Sequence, residues 1–153
     1  MTFLESNEAR TVIGFQQGEK EFLLQILSDY PVVTNQERVL SRDSEDPDLQ
    51  EDTELLRSHL EEITHENRKK LNQWLQAPDT FRQTDDHAKL VIDQTHRDWF
   101  LQILNDIRVG TWHRLHCPDP EKMEALAENP DHLNAALTME LIGLIQSFIL
   151  RAL

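Results

Sequence analysis

The sequence of 153 residues contains one cysteine, Cys117, so it cannot form an intrachain disulfide bond. Glycine occurs only four times and proline six times, which argues against long loops and against a fold built mainly from strands and turns. The chain does not start with a basic run and an apolar core, so we expect no signal peptide. The longest apolar stretch, residues 141–150, is interrupted by Gln146 and Ser147 and is shorter than the roughly 20 residues that cross a bilayer. These absences favour a soluble protein with a cytoplasmic location.

Basic residues are also scarce, since 15 lysines and arginines stand against 28 aspartates and glutamates and the formal net charge is −13. Their only cluster, residues 68–70, follows closely on Glu61, Glu62 and Glu66. A protein that binds nucleic acid or an anionic membrane must present clustered positive charge, so we expect neither partner. We interpret the acidic run at residues 42–54 as a solvated loop that leads into the first turn of a helix, with an acidic docking surface as the alternative.

What the sequence does contain is apolar residues at helical spacing over most of its length. We predict a single all-α (mainly α) domain over residues 1–153, a compact bundle of five or six helices around a central buried helix. Residues 10–15 and 89–92 are rich in β-branched and other apolar side chains and could add a minor two-stranded ribbon. A long helix is predicted over residues 47–76, and Asn67 falls on its apolar stripe, where it would need a polar partner. We find no internal repeat along the chain.

Residues 99–115 supply the central helix of this prediction, and Asp93 is the expected cap at its start. At about 100° per residue its apolar side chains point in nearly every direction, which is typical of a helix enclosed by others. The same stretch carries charged and polar groups that a buried position excludes unless they are paired. These groups form the predicted polar site on the central helix: Asn105, Asp106, Arg108, His113 and Arg114.

Asp106 and Arg108 are about 200° apart around a helix, so they cannot pair with each other. Each must find its partner on a neighbouring element or at a cleft, so the cluster is either a buried structural network or a functional pocket. In the pocket interpretation, Asp106, Gly110 and His113 share one face, and the missing side chain of Gly110 lets a ligand approach. In the structural interpretation, Gly110 marks a close contact between two helices.

Zinc is the metal that the sequence suggests most directly, because His113, His116 and Cys117 are spaced so that they could share one helical face. This is a single cluster at a helix end without a marked fourth ligand, so we expect no metal and no cofactor. The motifs at residues 62–65 and 93–96 invite comparison with di-iron helical bundles, but the second has Asp where those sites use Glu. No catalytic nucleophile or phosphate-binding glycine loop is recognisable, so we assign no catalytic residue.

The last helix, from about residue 131, carries apolar residues on two sides, so its second side is available to another subunit. This second apolar side, the acidic surface and the absence of a recognisable catalytic set together indicate the function. They favour a non-enzymatic protein-interaction or regulatory module that forms a homodimer through the last helix. The alternative is a metal-dependent or hydrolytic enzyme that uses the polar pocket, with Asp106, His113, His116 and Cys117 as its groups. The sequence names no substrate, no biological process and no particular protein partner.

Trp99, the segment Asn-Asp-Ile-Arg at residues 105–108 and the pair Arg-Leu at residues 114–115 follow one another at a regular spacing. This order resembles a bacterial family, domain of unknown function number two thousand seventeen, in which an aromatic residue precedes Asn-Asp-Leu-Arg and then Arg-Leu. The chain departs from that family at residues 112–113, where Trp-His stands in place of the usual Gly-Thr. The resemblance implies a mainly helical fold without an established activity. Members are often encoded beside a Clp protease adaptor, which suggests a role in protein handling.

Overall fold

The computed structural model describes residues 1–7, 9–33, 47–83 and 87–151. The first part of the acidic run, residues 42–46, lies outside the described residues. Within the described ranges the chain forms four strands and five helices. In chain order they are β1 (Thr2–Ser6), β2 (Arg10–Gln16), α1 (Gln17–Ser28), α2 (Pro47–Gln76), β3 (Phe81–Gln83), β4 (His87–Asp93), α3 (Gln94–Arg114), α4 (Pro120–Ala127) and α5 (Pro130–Leu150).

The prediction of an all-α bundle is wrong, because the strands form one four-stranded antiparallel sheet in the order β1-β2-β4-β3. The two segments expected to form a minor ribbon do pair with each other, but they are the centre of this sheet. Few glycines suffice because only three residues lie between β1 and β2, and β2 and β4 each lead directly into a helix. The edge strands β1 and β3 are short and lack an apolar pattern that would mark them as strands.

The inner face of the sheet contributes one side of the hydrophobic core. Thr11, Ile13 and Phe15 of β2 lie opposite Ile92, Leu90 and Ala88 of β4, and all six are buried. The core continues into α1, α3 and α5. Alternate residues point to the other face, where Val12 is buried, Val91 is half-buried and Lys89 is exposed. Helices α1, α3 and α5 cover the inner face, and the fold is a mixed α/β layer structure in which helix predominates.

The sheet also reveals an internal repeat, which corrects the expectation that the chain has none. Residues 17–29 read QGEKEFLLQILSD and residues 94–106 read QTHRDWFLQILND, so six of thirteen positions are identical. The first segment contains α1 and the second begins α3, and each follows directly on a central strand. The strands themselves share no identical residue at this offset, and α2 separates the two copies. These two facts hide the repeat from a scan of the sequence.

The strand register supports the repeat independently of the helix sequences. The two helical segments are offset by 77 positions, and Ile13 of β2 pairs with Leu90 of β4, which is the same offset. Two equivalent residues pair with each other only where they lie on an axis of approximate twofold symmetry. The strand order is symmetric about the same point, since β1 and β3 are its two edges. The fold is thus two ββα units that face each other across the centre of the sheet.

The central helix α3 is buried on one face and not on all sides, which corrects a second part of the predicted architecture. Its outward face carries Val109, which is 43% exposed, and Trp112, which is 37% exposed. The apolar pattern predicted burial on all sides because it includes these two apolar residues, which the structure places on the surface. The buried face consists of Arg97, Phe100, Ile103, Leu104, Ile107, Gly110 and Thr111.

Helix α2 is attached to the domain through its C-terminal turns. Leu71 and Trp74 are buried, and the indole Nε1 of Trp99 donates a hydrogen bond to Asn67 Oδ1 over 2.9 Å. This confirms that Asn67 needs a polar partner on the apolar stripe. The hydroxyl of Thr80 donates to the carbonyl of Trp74 over 2.6 Å and closes the end of the helix. By contrast, the described side chains of α2 from residue 50 to residue 66 are exposed or half-buried.

The two glycines inside helices α3 and α5 should respond in opposite ways to replacement by alanine. A Cβ at Gly110 would lie 3.0 Å from Cβ of Val32, whereas a Cβ at Gly143 would meet nothing within 4 Å. We expect Gly110→Ala to lower the free energy of unfolding by about 1–3 kcal/mol, because the segment after α1 must shift. We expect Gly143→Ala to raise it by about 0.5–1 kcal/mol. Urea unfolding of both variants measures this, and equal stabilities would contradict the packing at Gly110.

The carboxylate of Asp93 caps α3, and its loss should cost stability in a pH-dependent way. Its Oδ1 accepts hydrogen bonds from His96 N over 2.9 Å and from the Thr95 hydroxyl over 2.6 Å. Burial acts to raise the Asp93 pKa, but the hydrogen bonds from the Thr95 hydroxyl and from the ring and backbone of His96 outweigh it, so the pKa lies below its ordinary value. A lowered carboxyl pKa stabilises the fold above the ordinary pKa, and this contribution disappears as the pH falls through the pKa of the folded state.

We therefore expect Asp93→Ala to lower the free energy of unfolding by about 1 kcal/mol near neutral pH. The difference from the unmodified protein should shrink below about pH 4, as the carboxyl group becomes protonated. Asp119→Ala is the matched control, since Asp119 is the N-cap of α4 but its side chain makes no capping hydrogen bond. Urea unfolding from pH 7 to pH 3 tests this. A cost for Asp119→Ala equal to that for Asp93→Ala would argue against the cap.

Candidate functional site

The five residues of the predicted polar site lie on different sides of α3. Asn105 and Arg108 are exposed and line a groove against α4 and α5, whereas Arg114 lines a separate cleft against α1. Asp106 is half-buried and has an interaction partner, and His113 is exposed next to Cys117. The structure therefore does not bring the five side chains into one pocket. Gly110 contacts the segment after α1 and admits neither a ligand nor another helix.

The histidines and the cysteine at the end of α3 do not share a helical face. The helix ends at Arg114 with Leu115 as its C-cap, and the two residues that follow Leu115, His116 and Cys117, have positive φ angles of 61° and 55°. Cys117 Sγ lies 3.5 Å from His113 Nδ1, while His116 follows the turn instead of the helix. In the described ranges, no group of three or more His, Cys, Asp or Glu side chains could hold a metal ion.

The two motifs compared with di-iron sites are also separate in the fold. Glu62 and His65 are exposed on α2. Asp93 accepts from His96 at the start of α3, where it acts as the helix cap. The structure explains this second motif by capping, and the first lies on a solvated helix face.

A large cavity among the described residues is the groove between α3, α4 and α5, which we call the α3–α5 groove. Its volume is about 820 Å³, within the range of about 300–1,000 Å³ that is usual for ligand sites. Apolar side chains form most of its wall, and four polar side chains lie among them. The lining residues are Asn105, Arg108, Val109, Trp112, Pro118, Asp119, Met123, Ala136, Met139 and Glu140.

Two contacts hold the walls of the α3–α5 groove. The indole Nε1 of Trp112 donates to the carbonyl of Pro118 over 3.1 Å and fixes the loop that leads into α4. Arg108 Nη1 donates to Gln146 Oε1 over 3.4 Å and links α3 to α5. The indole nitrogen of Trp112 is thus hydrogen-bonded, while its ring remains partly exposed in the groove.

Helix α5 carries a second apolar surface next to the groove. Ile142, Ile145 and Ile149 are fully buried in the core. On the opposite side three leucines lie within about 40° of one another around the helix axis. We call them the outer α5 stripe: Leu133 at 40% exposure, Leu137 at 41% and Leu144 at 45%. The sequence indicated that α5 has apolar residues on two sides, but not which of them are covered, because exposure depends on which neighbours cover each face.

Helix α5 as a whole is long and apolar enough to cross a membrane, judged by length and composition alone. The prediction that no segment is long enough to cross a bilayer considered only residues 141–150, whereas the whole helix, Pro130–Leu150, is long enough. One helix of this kind is weak evidence for a membrane span, since core helices of soluble proteins can be as long and as apolar. The cytoplasmic location stays a prediction.

No protein-family model, curated protein or solved structure matches the chain. The resemblance to the family of unknown function, and with it the link to protein handling, stays a prediction.

Proposed function

We propose that the protein is a non-enzymatic protein-interaction module whose α3–α5 groove binds an amphipathic helix of a partner protein. The observation that supports this most directly is the large apolar surface on α3 and α5. Val109 and Trp112 are 43% and 37% exposed beside the groove, and the outer α5 stripe continues this surface. Exposed apolar surface of this kind on a soluble domain commonly marks an interaction site.

The side chains in the groove suit a helical partner. Trp112 is an aromatic anchor of the type that dominates the energy of many interfaces. Met123 and Met139 are flexible and polarisable, so they can adapt to the apolar face of a helix. Among the lining residues there is no nucleophile beside a base, which is why we favour binding over catalysis.

Charge indicates what kind of helix would fit. Asp119 and Glu140 lie at the groove, and the guanidinium of Arg108 is directed to Gln146. The whole chain carries a formal net charge of −13. Complementary charge speeds association and suppresses wrong partners, so the partner helix should have basic residues beside its apolar face.

Fluorescence anisotropy with three labelled helical peptides tests this proposal. The peptides share one leucine-rich face and differ only in net charge, which is positive, zero or negative. We expect the positive peptide to bind most tightly. We expect Trp112→Ala to weaken that binding at least about tenfold, because it removes the anchor. Met139→Glu, which places a carboxylate in the apolar wall, should weaken it as well.

Leu55→Ala is the matched control, because Leu55 is 64% exposed but lies on α2, away from the groove. Its affinity for the positive peptide should equal that of the unmodified protein. The proposal fails if no peptide binds, or if Trp112→Ala and Met139→Glu leave the affinity unchanged while both variants keep the melting temperature of the control.

The outer α5 stripe is the surface that we propose for self-association, in agreement with the expected homodimer through the C-terminal helix. Leu150 is 53% exposed, but it lies about 120° around the helix from Leu144 and so belongs to another side. Leu144 is therefore the position at which an introduced charge should disrupt the dimer.

We expect the protein to have twice its monomer mass in size-exclusion chromatography with light scattering. We expect Leu144→Glu to restore the monomer mass, because it places a charge in the apolar contact. Leu55→Glu, on α2, should remain dimeric. A monomeric unmodified protein at micromolar concentration would contradict the dimer. The α3–α5 groove would still be tested separately by the peptide-binding experiment.

A further inference from the structure

A second cleft lies on the other side of α3, where α1, α3 and α5 meet. Its volume is about 320 Å³, at the lower end of the range for small-ligand sites. The floor is apolar and buried, with Ile26 from α1, Val32 from the segment after α1 and Ile107 from α3. We call it the α1–α3 cleft. It shares no lining residue with the α3–α5 groove.

The mouth of the α1–α3 cleft is polar and carries both signs of charge. Asp29 stands at the end of α1 and Arg114 at the end of α3, and both are exposed. Gln25 and Asn134 add two carboxamides. None of the ion pairs within 4.0 Å among the described residues joins Asp29 to Arg114, and neither side chain hydrogen bonds to another described residue. The carboxylate and the guanidinium therefore line one small cleft without neutralising each other.

The cleft exists because the two ββα units differ after the repeat. Asp29 of the first unit corresponds to Asp106 of the second. α1 has already ended at Ser28, while α3 continues for two turns beyond Asp106 to Arg114. Val32 then packs on Gly110, so the end of α1 is held against this extension. Asp29 and Arg114 therefore do not occupy equivalent positions in the two ββα units.

We propose that the α1–α3 cleft binds a free α-amino acid with an apolar side chain. The ammonium group would bind the Asp29 carboxylate, and the carboxylate would bind the Arg114 guanidinium, whose planar fork suits it. The apolar side chain would lie on Ile26, Val32 and Ile107. The hydroxyl of Thr111 donates to the carbonyl of Ile107 over 2.8 Å, so the polar contacts come mainly from the four groups at the mouth.

A ligand with a single charge fits this cleft less well than a zwitterion. A simple anion would be drawn to Arg114 but repelled by Asp29 and by the acidic chain. A simple cation would leave Arg114 without a counterion. A free amino acid carries both charges a short distance apart and has no net charge. The small volume also favours one residue over a long peptide.

Isothermal titration calorimetry with L-leucine and two analogues tests the proposal on the full chain. Leucinamide lacks the carboxylate, and N-acetyl-L-leucine lacks the ammonium group. We expect L-leucine to bind with a Kd of about 1 mM or tighter, and each analogue to bind at least about tenfold more weakly. Asp29→Asn and Arg114→Gln should each weaken the binding of L-leucine by a similar factor.

The variants also assign each charge to its partner. In Asp29→Asn the preference for L-leucine over N-acetyl-L-leucine should disappear, and in Arg114→Gln the preference over leucinamide should disappear. Asp79→Asn and Arg82→Gln are matched controls, since this exposed pair lies 3.7 Å apart outside the cleft. Both should bind L-leucine like the unmodified protein.

Three results would overturn the proposal. The first is that L-leucine does not bind at about 10 mM, which lies well above the expected Kd. The second is that N-acetyl-L-leucine or leucinamide binds as tightly as L-leucine. The third is that Asp29→Asn and Arg114→Gln bind L-leucine like the two control variants. Because the peptides of the groove experiment contact other residues, a failure here leaves that experiment unaffected.

Discussion

The pairing of β2 with β4 is the contact on which the rest of the structure depends. Seven residues of each strand are in register, from Arg10 opposite Asp93 to Gln16 opposite His87. Each strand continues directly into a helix, so the pairing also sets where α1 and α3 begin. Both helices then cover the inner face, and α5 fills the space beside β1, where the rings of Phe3 and Phe148 are 5.3 Å apart. A shift of one residue in this register would turn the inner side chains outward.

The approximate symmetry about Ile13 and Leu90 ends where the two helices differ in length, and the surface features arise there. α1 has twelve residues and α3 has twenty-one. The additional turns of α3 have one side against α1 and the other against α4 and α5. The first side forms the α1–α3 cleft and the second forms the α3–α5 groove. The turns of α3 that are not repeated add Trp112 to the groove and Arg114 to the cleft, where they meet residues of the repeated segments such as Asn105 and Asp29.

The sequence predicted those features that depend on local chemistry. The need of Asn67 for a partner and the cap at Asp93 follow from a polar residue at an apolar or helix-starting position. It did not predict the edge strands, because β3 has only three residues and its stability comes from pairing with β4. It also placed Val109 and Trp112 in the core, because helical periodicity shows which residues share a side but not which side is covered. The division of the polar residues of α3 between two cavities has the same cause.

Helix α5 shows how one helix can serve several surfaces without conflict. At 100° per residue, its buried isoleucines Ile142, Ile145 and Ile149 occupy one side of its C-terminal half. Toward the N-terminus the same side carries Asn134 and Thr138, so this part of the helix lines the α1–α3 cleft and does not continue the core. The groove and the outer α5 stripe use the two remaining sides. The isoleucines hold the helix in place, and the side chains at its N-terminal half are therefore free to differ in chemistry from one side to the next.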